Sequence, residues 1–253
     1  MRIALDDLTI IRGGKLIVKN LTATFKGPGL IQVIGPNGAG KTTLFLTILG
    51  LIKPVSGRIY INDIDATGSP GKLKSMVSYL PQKFDIPRNF PITVQELMEC
   101  CIRLNNHWPR TFSKKIDSEK IVSALKLVGL TEDFWDAPVS SLSGGQFQRV
   151  MIARTLALNT PMIIMDEPLS NIDPEGKKTI ADLLGSISRE KLLILSSHDP
   201  ILLMPYTSRI LLLGNGLAFY GPPQEVLARG VLGKIYGECF IEARDHVHIV
   251  DWH

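Results

Sequence analysis

The sequence predicts an α/β fold, and three features of its 253 residues indicate this. Two short apolar runs, Met162 to Met165 and Leu192 to Leu195, are typical of parallel strands that helices cover on both faces. Strand-like and helical segments alternate along the chain, as in other α/β proteins. A glycine-rich segment, Gly35 to Thr42, directly follows the β-rich run Leu30 to Ile34 and opens a helix that begins near Lys41. We therefore expect a largely parallel sheet between helices.

The N-terminal part of the chain predicts antiparallel strands. Short β-rich runs alternate with breaks at Gly13–Gly14 and Gly27–Gly29, a pattern typical of strands and hairpins. The runs Arg58 to Ile61 and Met76 to Leu80 follow as further strands. We therefore expect an N-terminal antiparallel β portion beside the α/β core.

The middle of the chain predicts an inserted helical block. Helical spacing, broken by several Pro and Asn residues, runs from Phe84 to about Ala157. Neither an internal repeat nor a low-complexity linker separates this block from its surroundings. We therefore expect a single domain over residues 1–253. Its α/β core occupies residues 1–83 and 159–230, its helical subdomain residues 84–158, and a tail residues 231–253.

The bulk composition narrows the class of protein. No apolar run approaches the roughly 18 to 20 residues that a membrane span needs, and residues 1–6 do not resemble a signal peptide. We expect no membrane anchor of its own. The net charge is +4 and the basic residues are scattered, so charge argues for no nucleic-acid partner. Cys100, Cys101 and Cys239 have neither disulfide-framework nor metal-clip spacing, which favours a reducing cytosolic compartment.

A phosphate-binding pattern, G-x-x-x-x-G-K-[ST], lies between the predicted strand ending at Ile34 and the following helix. Its glycines let backbone N–H groups and the helix N-terminus point at a β-phosphate, while Lys41 reaches the β- and γ-oxygens. Thr42 offers a hydroxyl to Mg²⁺. The flanking strand and helix disfavour the alternative, a structural turn with a solvated lysine. The predicted nucleotide-binding residues here are Gly35, Pro36, Asn37, Gly38, Ala39, Gly40, Lys41, Thr42 and Thr43.

Two carboxylates end the apolar run at Met165. Asp166 and Glu167 would lie in the crevice at the strand C-termini, where doubly wound sheets bind ligands. We expect Asp166 to hold Mg²⁺ through its waters and Glu167 to accept the proton of the water that attacks the γ-phosphate. The alternative is a charged pair that merely caps the strand. His198 ends the next predicted strand, Lys191 to Ser197, and is a candidate to position that water, although a lone histidine is more often structural.

A second anion-binding helix start is predicted at Ser143. Ser143 and Gln146 have the spacing of a capping box, with Gly144 and Gly145 between them. As local chemistry, this is equally an ordinary helix start. Leu142 to Gln146, followed by Gln148 and Arg149, resembles the signature of ABC ATPases and lies between the phosphate-binding pattern and Asp166, in the order of that family. The resemblance covers nearly the whole chain.

The resemblance implies a RecA-like P-loop core that binds and hydrolyses ATP with Mg²⁺ as cofactor. It implies that Gln82 contacts Mg²⁺, together with Thr42 and Asp166, and senses a membrane partner. It makes His198 the switch histidine. In that family Ser143, Gly144, Gly145 and Gln146 of one subunit cover the γ-phosphate bound by the other. A homodimer is the simplest arrangement for one set of motifs per chain, and pairing with a different subunit stays open.

Two positions depart from the usual pattern of that family. Asn171 and Ile172 stand where an Ala-Leu pair is more usual in a short dimer-contact loop, while Asp173 and Pro174 predict an N-cap and the first helical position. Arg12 stands where an adenine-stacking aromatic residue is common. Our hypothesis is that its planar guanidinium stacks on adenine instead. The alternative is a solvated loop arginine.

Within the family, residues 90–94 and 220–227 resemble the subgroup that powers zinc or manganese import. The resemblance implies an integral permease, a substrate-binding protein and a peripheral location at the cytoplasmic face of the cell membrane. His246, His248, Asp251 and His253 are residue types that bind transition metals, although two histidines on one face of an exposed strand explain the pattern more simply.

Two competing interpretations remain besides transport of another substrate. A soluble ABC ATPase without a permease would perform assembly or repair work. The long coiled-coil insertion of the repair members and the second cassette of the translation-factor members are absent here. A P-loop binding module without turnover is disfavoured, since Glu167 and His198 are both present.

Overall fold

The computed structural model describes residues 1–73, 75–84, 91–105, 118–197, 200–237, 240–243 and 246–249. In these ranges the strands are β1 (Arg2–Arg12), β2 (Lys15–Lys26), β3 (Gly29–Ile34), β4 (Ser56–Ile61), β5 (Ile64–Asp65), β6 (Val77–Leu80), β7 (Met162–Met165), β8 (Leu192–Ser196), β9 (Thr207–Gly214), β10 (Leu217–Gly221), β11 (Phe240–Ala243) and β12 (His246–Ile249). The helices are α1 (Lys41–Ile48), α2 (Val94–Asn105), α3 (Ser118–Leu127), α4 (Gly144–Ala157), α5 (Pro174–Ile187), α6 (Pro223–Val226) and α7 (Arg229–Tyr236).

One sheet is antiparallel and has the strand order β2-β1-β4-β5. Strand β1 pairs antiparallel with both β2 and β4. Its apolar residues Ile3, Leu5, Leu8 and Ile10 are buried, because one face of the strand covers the core while the other meets solvent. The predicted N-terminal antiparallel portion is confirmed.

The second sheet has the order β10-β9-β3-β8-β7-β6, and all neighbours except the antiparallel pair β9 and β10 run parallel. All residues of β7 and β8 are buried, which explains their uninterrupted apolar sequence. Because β3, β8 and β7 are adjacent and parallel, their carboxyl ends lie side by side. The segments that follow these three strands therefore meet at one edge of the sheet.

Apolar side chains fill both faces of the parallel sheet. Ile31, Ile164 and Ile194 pack in a cluster with the antiparallel sheet and α1. Their neighbours Leu193 and Leu195 point the other way, into a cluster with α2 to α5. The alternation follows from the two-residue period of a strand. The α/β prediction is confirmed, with helices on one face and α1 plus the antiparallel sheet on the other.

The chain between β6 and β7 contains α2, α3 and α4. Val94, Leu97 and Met98 of α2 are buried in the helical cluster, so part of the apolar sequence between Phe84 and Leu104 is core. Helix α4 begins at Gly144, directly after its predicted cap Ser143, because the capping interaction of Ser143 organises its first turn. Within the described ranges, no helix is long and apolar enough to cross a bilayer.

Candidate functional site

A glycine-rich loop joins β3 to α1 and holds a buried lysine. Lys41 is the first residue of α1 and only 6% exposed. Its Nζ donates hydrogen bonds to the carbonyl oxygens of Gly35 at 2.7 Å and Pro36 at 3.3 Å. The ammonium group therefore lies inside the curve of the loop, beside the N-terminus of a helix. Both features favour an anion such as a phosphate.

Gly40 fixes the path of this loop into the helix. Its φ of +97° is a left-handed value that side chains rarely adopt. A Cβ at this position would also collide with the side chain of Ile17, which is 5% exposed on β2. The antiparallel sheet therefore packs directly against the loop. Glycine is required at position 40 for two reasons, the left-handed φ and the lack of space for a Cβ.

The carboxylate of Asp166, directly after β7, links the ends of three elements. Asp166 is 1% exposed, and its two oxygens accept hydrogen bonds of 2.5 Å from the hydroxyls of Thr42 and Ser196. The Ser196 hydroxyl in turn accepts a bond of 2.9 Å from the backbone N–H of Glu167. Burial, together with the nearby Asp166 charge, raises the pKa of Tyr79 well above its ordinary value. The phenol therefore stays neutral beside the carboxylate.

Glu167 has an unusual backbone and several contacts. Its φ is +54°, in the left-handed region, and the residue is 8% exposed. Its Oε2 accepts a hydrogen bond of 2.8 Å from Nε2 of Gln82, which follows β6. The side-chain amide of Gln148 donates to the carbonyl of Pro168 at 3.1 Å and approaches that of Glu167 at 3.5 Å. Such strain persists where the surroundings hold it, and it is frequent at functional sites.

The N-terminus of α4 forms a separate part of the site. Ser143 accepts from the N–H of Gln146 at 3.2 Å, and the Gln146 side chain accepts from the N–H of Ser143 at 2.9 Å. The predicted capping box is thus confirmed. A cavity of about 700 Å³ opens beside it. The described residues that line this cavity are Gly129, Leu130, Phe134, Ser143, Gly144, Gly145, Gln146, Arg149, Asn171 and Asp173, and the loop 35–42 contributes none of them.

Arg149 ties the start of α4 to the start of α5. Its guanidinium donates to Oδ1 of Asp173 at 3.2 Å and to the carbonyl of Val128 at 3.3 Å. Asp173 is the N-cap of α5, with Pro174 as first residue, as predicted. The N–H of Gly176 lowers the pKa of the Asp173 carboxyl, and Arg149 adds to this effect. The carboxylate therefore stays charged at neutral pH.

Arg12 lies at the end of β1 and is exposed, as a solvated arginine would be. Its Nη1 nevertheless donates to the hydroxyl of Thr43 in α1 at 3.3 Å. Lys15, across the hairpin, donates to the carbonyl of Gly38 at 2.8 Å. Both cations therefore lie beside the phosphate-binding loop, and Lys15 was not singled out in the sequence.

The structure brings Thr42, Asp166, Glu167 and Gln82 together through hydrogen bonds. The Ser143 to Gln146 segment lies at the start of α4 and lines a cavity to which no described residue of the loop 35–42 contributes. His198 lies outside the described residues, as do Asp251 and His253. Strand β12 contains His246 and His248, whose side chains are not among those described.

Ser196 and Gln148 make contacts at the site that were not predicted from the sequence, in which Gln148 was noted only as following the signature. Ser196 carries a polar signal, since it ends the otherwise apolar strand β8. Gln148 lies on the buried face of α4 at 5% exposure, and a glutamine among apolar helix positions is a weak signal of a buried contact. Each of these two side chains binds a backbone atom of the segment that contains Glu167. Which backbone atoms lie within reach of them is known only from the folded chain.

Comparisons with known proteins agree with this geometry. A family model described as ABC transporter matches residues 18–170. The zinc import ATP-binding protein ZnuC of Rickettsia conorii is 36% identical and covers 93% of each chain. The probable metal transport system ATP-binding protein of Thermotoga maritima is 33% identical over 94% of this chain and 91% of its own. The ATP-binding cassette MJ0796, solved as a dimer bound to ADP and Pi in a post-hydrolysis state, has a TM-score of 0.75 at 26% identity, covering 87% of this chain and 98% of its own.

The fold and the site together define a P-loop nucleoside triphosphatase. Since the family model covers more than half of the sequence and relatives above 30% identity match nearly all of it, the chain belongs to the ABC transporter family. It is an ATP-binding ATPase of that family.

The strained glycine at the helix start gives a first prediction. Gly40→Ala should weaken ATP binding at least roughly 10-fold, because left-handed strain of about 1 to 3 kcal/mol and the collision with Ile17 displace the loop. Titration of a fluorescent ATP analogue measures the dissociation constant. Gly71→Ala is the matched control, since Gly71 has no positive φ and open space around its Cβ position. Unchanged affinity in Gly40→Ala would contradict the assignment.

Proposed function

We propose that this chain is the ATP-hydrolysing subunit of a membrane importer for a divalent metal ion, zinc or manganese. It acts as a dimer at the cytoplasmic face of the cell membrane, attached to an integral permease, and receives its cargo by way of a substrate-binding protein. The observation that carries the catalytic part is the hydrogen-bonded cluster of Thr42, Asp166, Ser196 and Glu167 beside the phosphate-binding loop.

ATP binds with its phosphates in the loop Gly35 to Thr42. The N–H groups of the loop and the start of α1 face the β-phosphate, and Lys41 exchanges its bonds to the loop carbonyls for phosphate oxygens. The hydroxyl of Thr42 and the carboxylate of Asp166 are adjacent oxygen donors, the ligand type that Mg²⁺ prefers. Gln82, whose amide nitrogen donates to Glu167, would offer its amide oxygen as a third. When bound there, Mg²⁺ supplies charge neutralisation at the β- and γ-phosphates.

Glu167 accepts the proton of the attacking water, and His198 assists in positioning that water. The carboxylate of Glu167 follows the strand that carries Asp166, and Ser196 holds its backbone N–H. Gln82 already contacts Oε2 of this carboxylate. Gln82 thus links Glu167 with the segment that leads from β6 to the helical block. This location suits a residue that reports the state of the nucleotide to a membrane partner.

The separation of the two anion-binding helix starts supports a dimer. The cavity at Ser143 to Gln146 is lined without any described residue of the loop 35–42. A second copy placed head to tail would close this cap over the γ-phosphate of its partner. The dimeric state of the related cassette MJ0796 supports the same arrangement.

The metal substrate is supported by what the relatives are called. The related proteins from Rickettsia conorii and Thermotoga maritima are described as zinc import and metal transport ATP-binding proteins. Residues 90–94 and 220–227 resemble this subgroup in sequence. Residue 90 lies outside the described residues, and residues 220–227 include the end of β10 and α6. The permease, rather than this chain, selects the substrate. The second candidate function is that of an ABC ATPase that works without a permease.

Affinity purification from native membranes in mild detergent, followed by mass spectrometry, tests the transport role. We expect a polytopic permease in stoichiometric amount, whose companions identify the cargo. Soluble partners alone would favour the permease-free role and leave the ATPase chemistry unchanged.

Removal of the base gives the second prediction. Glu167→Gln should lower ATP turnover by roughly 10² to 10⁴, the usual contribution of a general base, with ATP affinity retained. The amide keeps the shape of the side chain and its contact with Gln82 but accepts no proton. Phosphate release gives the turnover, and equilibrium titration gives the affinity. Normal hydrolysis in this variant would exclude Glu167 from the role.

The third prediction concerns adenine stacking. Arg12→Ala should weaken ATP binding several-fold, roughly 0.5 to 1 kcal/mol for an exposed stack, and leave the binding of inorganic triphosphate unchanged. Arg12→Lys is the control for charge, since it keeps the positive charge but removes the planar guanidinium. An unchanged dissociation constant for ATP in Arg12→Ala would contradict the hypothesis, as would an equal loss for triphosphate.

A further inference from the structure

We propose that Gln148 is a positioning residue for Glu167, through which the signature helix α4 aligns the catalytic base of its own subunit. The proposal rests on the role of Glu167 proposed above. In the proposed dimer, the start of α4 covers the nucleotide that the partner subunit binds, while Glu167 acts on the nucleotide bound by its own subunit. Gln148 would link these two sites mechanically.

The contact itself is buried and directional. Gln148 is 5% exposed, and its Nε2 lies 3.1 Å from the carbonyl oxygen of Pro168 and 3.5 Å from that of Glu167. The Glu167 carbonyl also accepts the N–H of Ser170 at 3.1 Å. Gln148 therefore binds chiefly the carbonyl that follows the base. Removing one partner of a buried hydrogen bond leaves the other unsatisfied, which is unfavourable.

The backbone at Glu167 requires such support. A glutamate at a φ of +54° is strained and relaxes unless its neighbours hold the backbone on both sides of it. Ser196 holds the N–H on the preceding side. On the following side, the N–H of Ser170 binds the Glu167 carbonyl, and the Gln148 amide binds the next carbonyl, that of Pro168. The backbone beside the Glu167 side chain is thus held by two buried side chains from different elements, Ser196 and Gln148, while Gln82 contacts the carboxylate itself.

The location of Gln148 in α4 gives the contact its significance. The helix begins at Gly144 and is capped by Ser143, and Gln148 lies little more than one turn further on. A nucleotide of the second subunit that seats on the helix start moves α4 as a rigid body. Gln148 transmits this movement to the backbone beside Glu167, so each base becomes aligned only when the opposite site is filled.

The test is Gln148→Met, which keeps the length and apolar volume of the side chain but removes the donor. We expect kcat to fall roughly 10- to 100-fold, the effect of a misplaced reacting group, with KM and ATP affinity within about 2-fold. Thr155→Val on the same helix is the matched control. Thr155 is 1% exposed and also donates to a backbone carbonyl, that of Met151, away from the base.

A double-mutant cycle with Glu167→Gln separates positioning from general stability. If Gln148 acts through the base, Gln148→Met should not lower the residual single-turnover rate of Glu167→Gln any further, whereas independent effects would multiply. A purely structural role would lower the melting temperature and every activity, in both backgrounds alike.

Three results overturn or redirect the proposal. An unchanged kcat in folded Gln148→Met refutes it, as do multiplicative effects in the cycle. If Gln148→Met does not fold, Gln148→Asn, which draws the amide back by one methylene, must give the same loss of kcat at unchanged KM. Normal turnover in Glu167→Gln alone would refute the assigned base instead, and the two failures are therefore distinguishable.

Discussion

The buried carboxylate of Asp166 ties the phosphate-binding loop to the centre of the parallel sheet. Burying a charge is unfavourable unless it is paired or hydrogen-bonded, and the hydroxyls of Thr42 and Ser196 occupy its two oxygens. The Thr42 hydroxyl belongs to α1, which follows β3, and the Ser196 hydroxyl lies at the end of β8. The site can therefore form only if β3, β8 and β7 are neighbours in the sheet. The parallel neighbours β3, β8 and β7 bring the three groups into contact.

The contacts beside this carboxylate come from several elements. The next residue, Glu167, has a left-handed backbone and is held by contacts from β8, from the segment after β6 and from α4. Three of the elements around the base thus control its direction separately. A site assembled in this way is sensitive to the position of each of them, which suits the proposed coupling of hydrolysis to closure of a dimer.

Much of the fold was predictable because its signals are local. The apolar sequence of β7 reports burial on both faces, and the spacing of Ser143 and Gln146 reports a helix cap that the structure contains. The contacts of Ser196 and Gln148 were not predictable, since each joins a side chain to an atom 19 or more positions away in the sequence. The positive φ of Glu167 has no signal in its residue type, because left-handed backbone favours glycine and asparagine.

The guanidinium of Arg149 also restricts how this sequence can diverge. A Cβ on Gly176 would overlap Nη2 of Arg149 and come within 2.8 Å of Oδ1 of Asp173. Any larger residue at position 176 therefore displaces the arginine from its ion pair with the cap of α5. A shorter residue at position 149 would open that space first. The order of substitutions is consequently constrained, and lineages that still carry Arg149 should retain glycine at position 176.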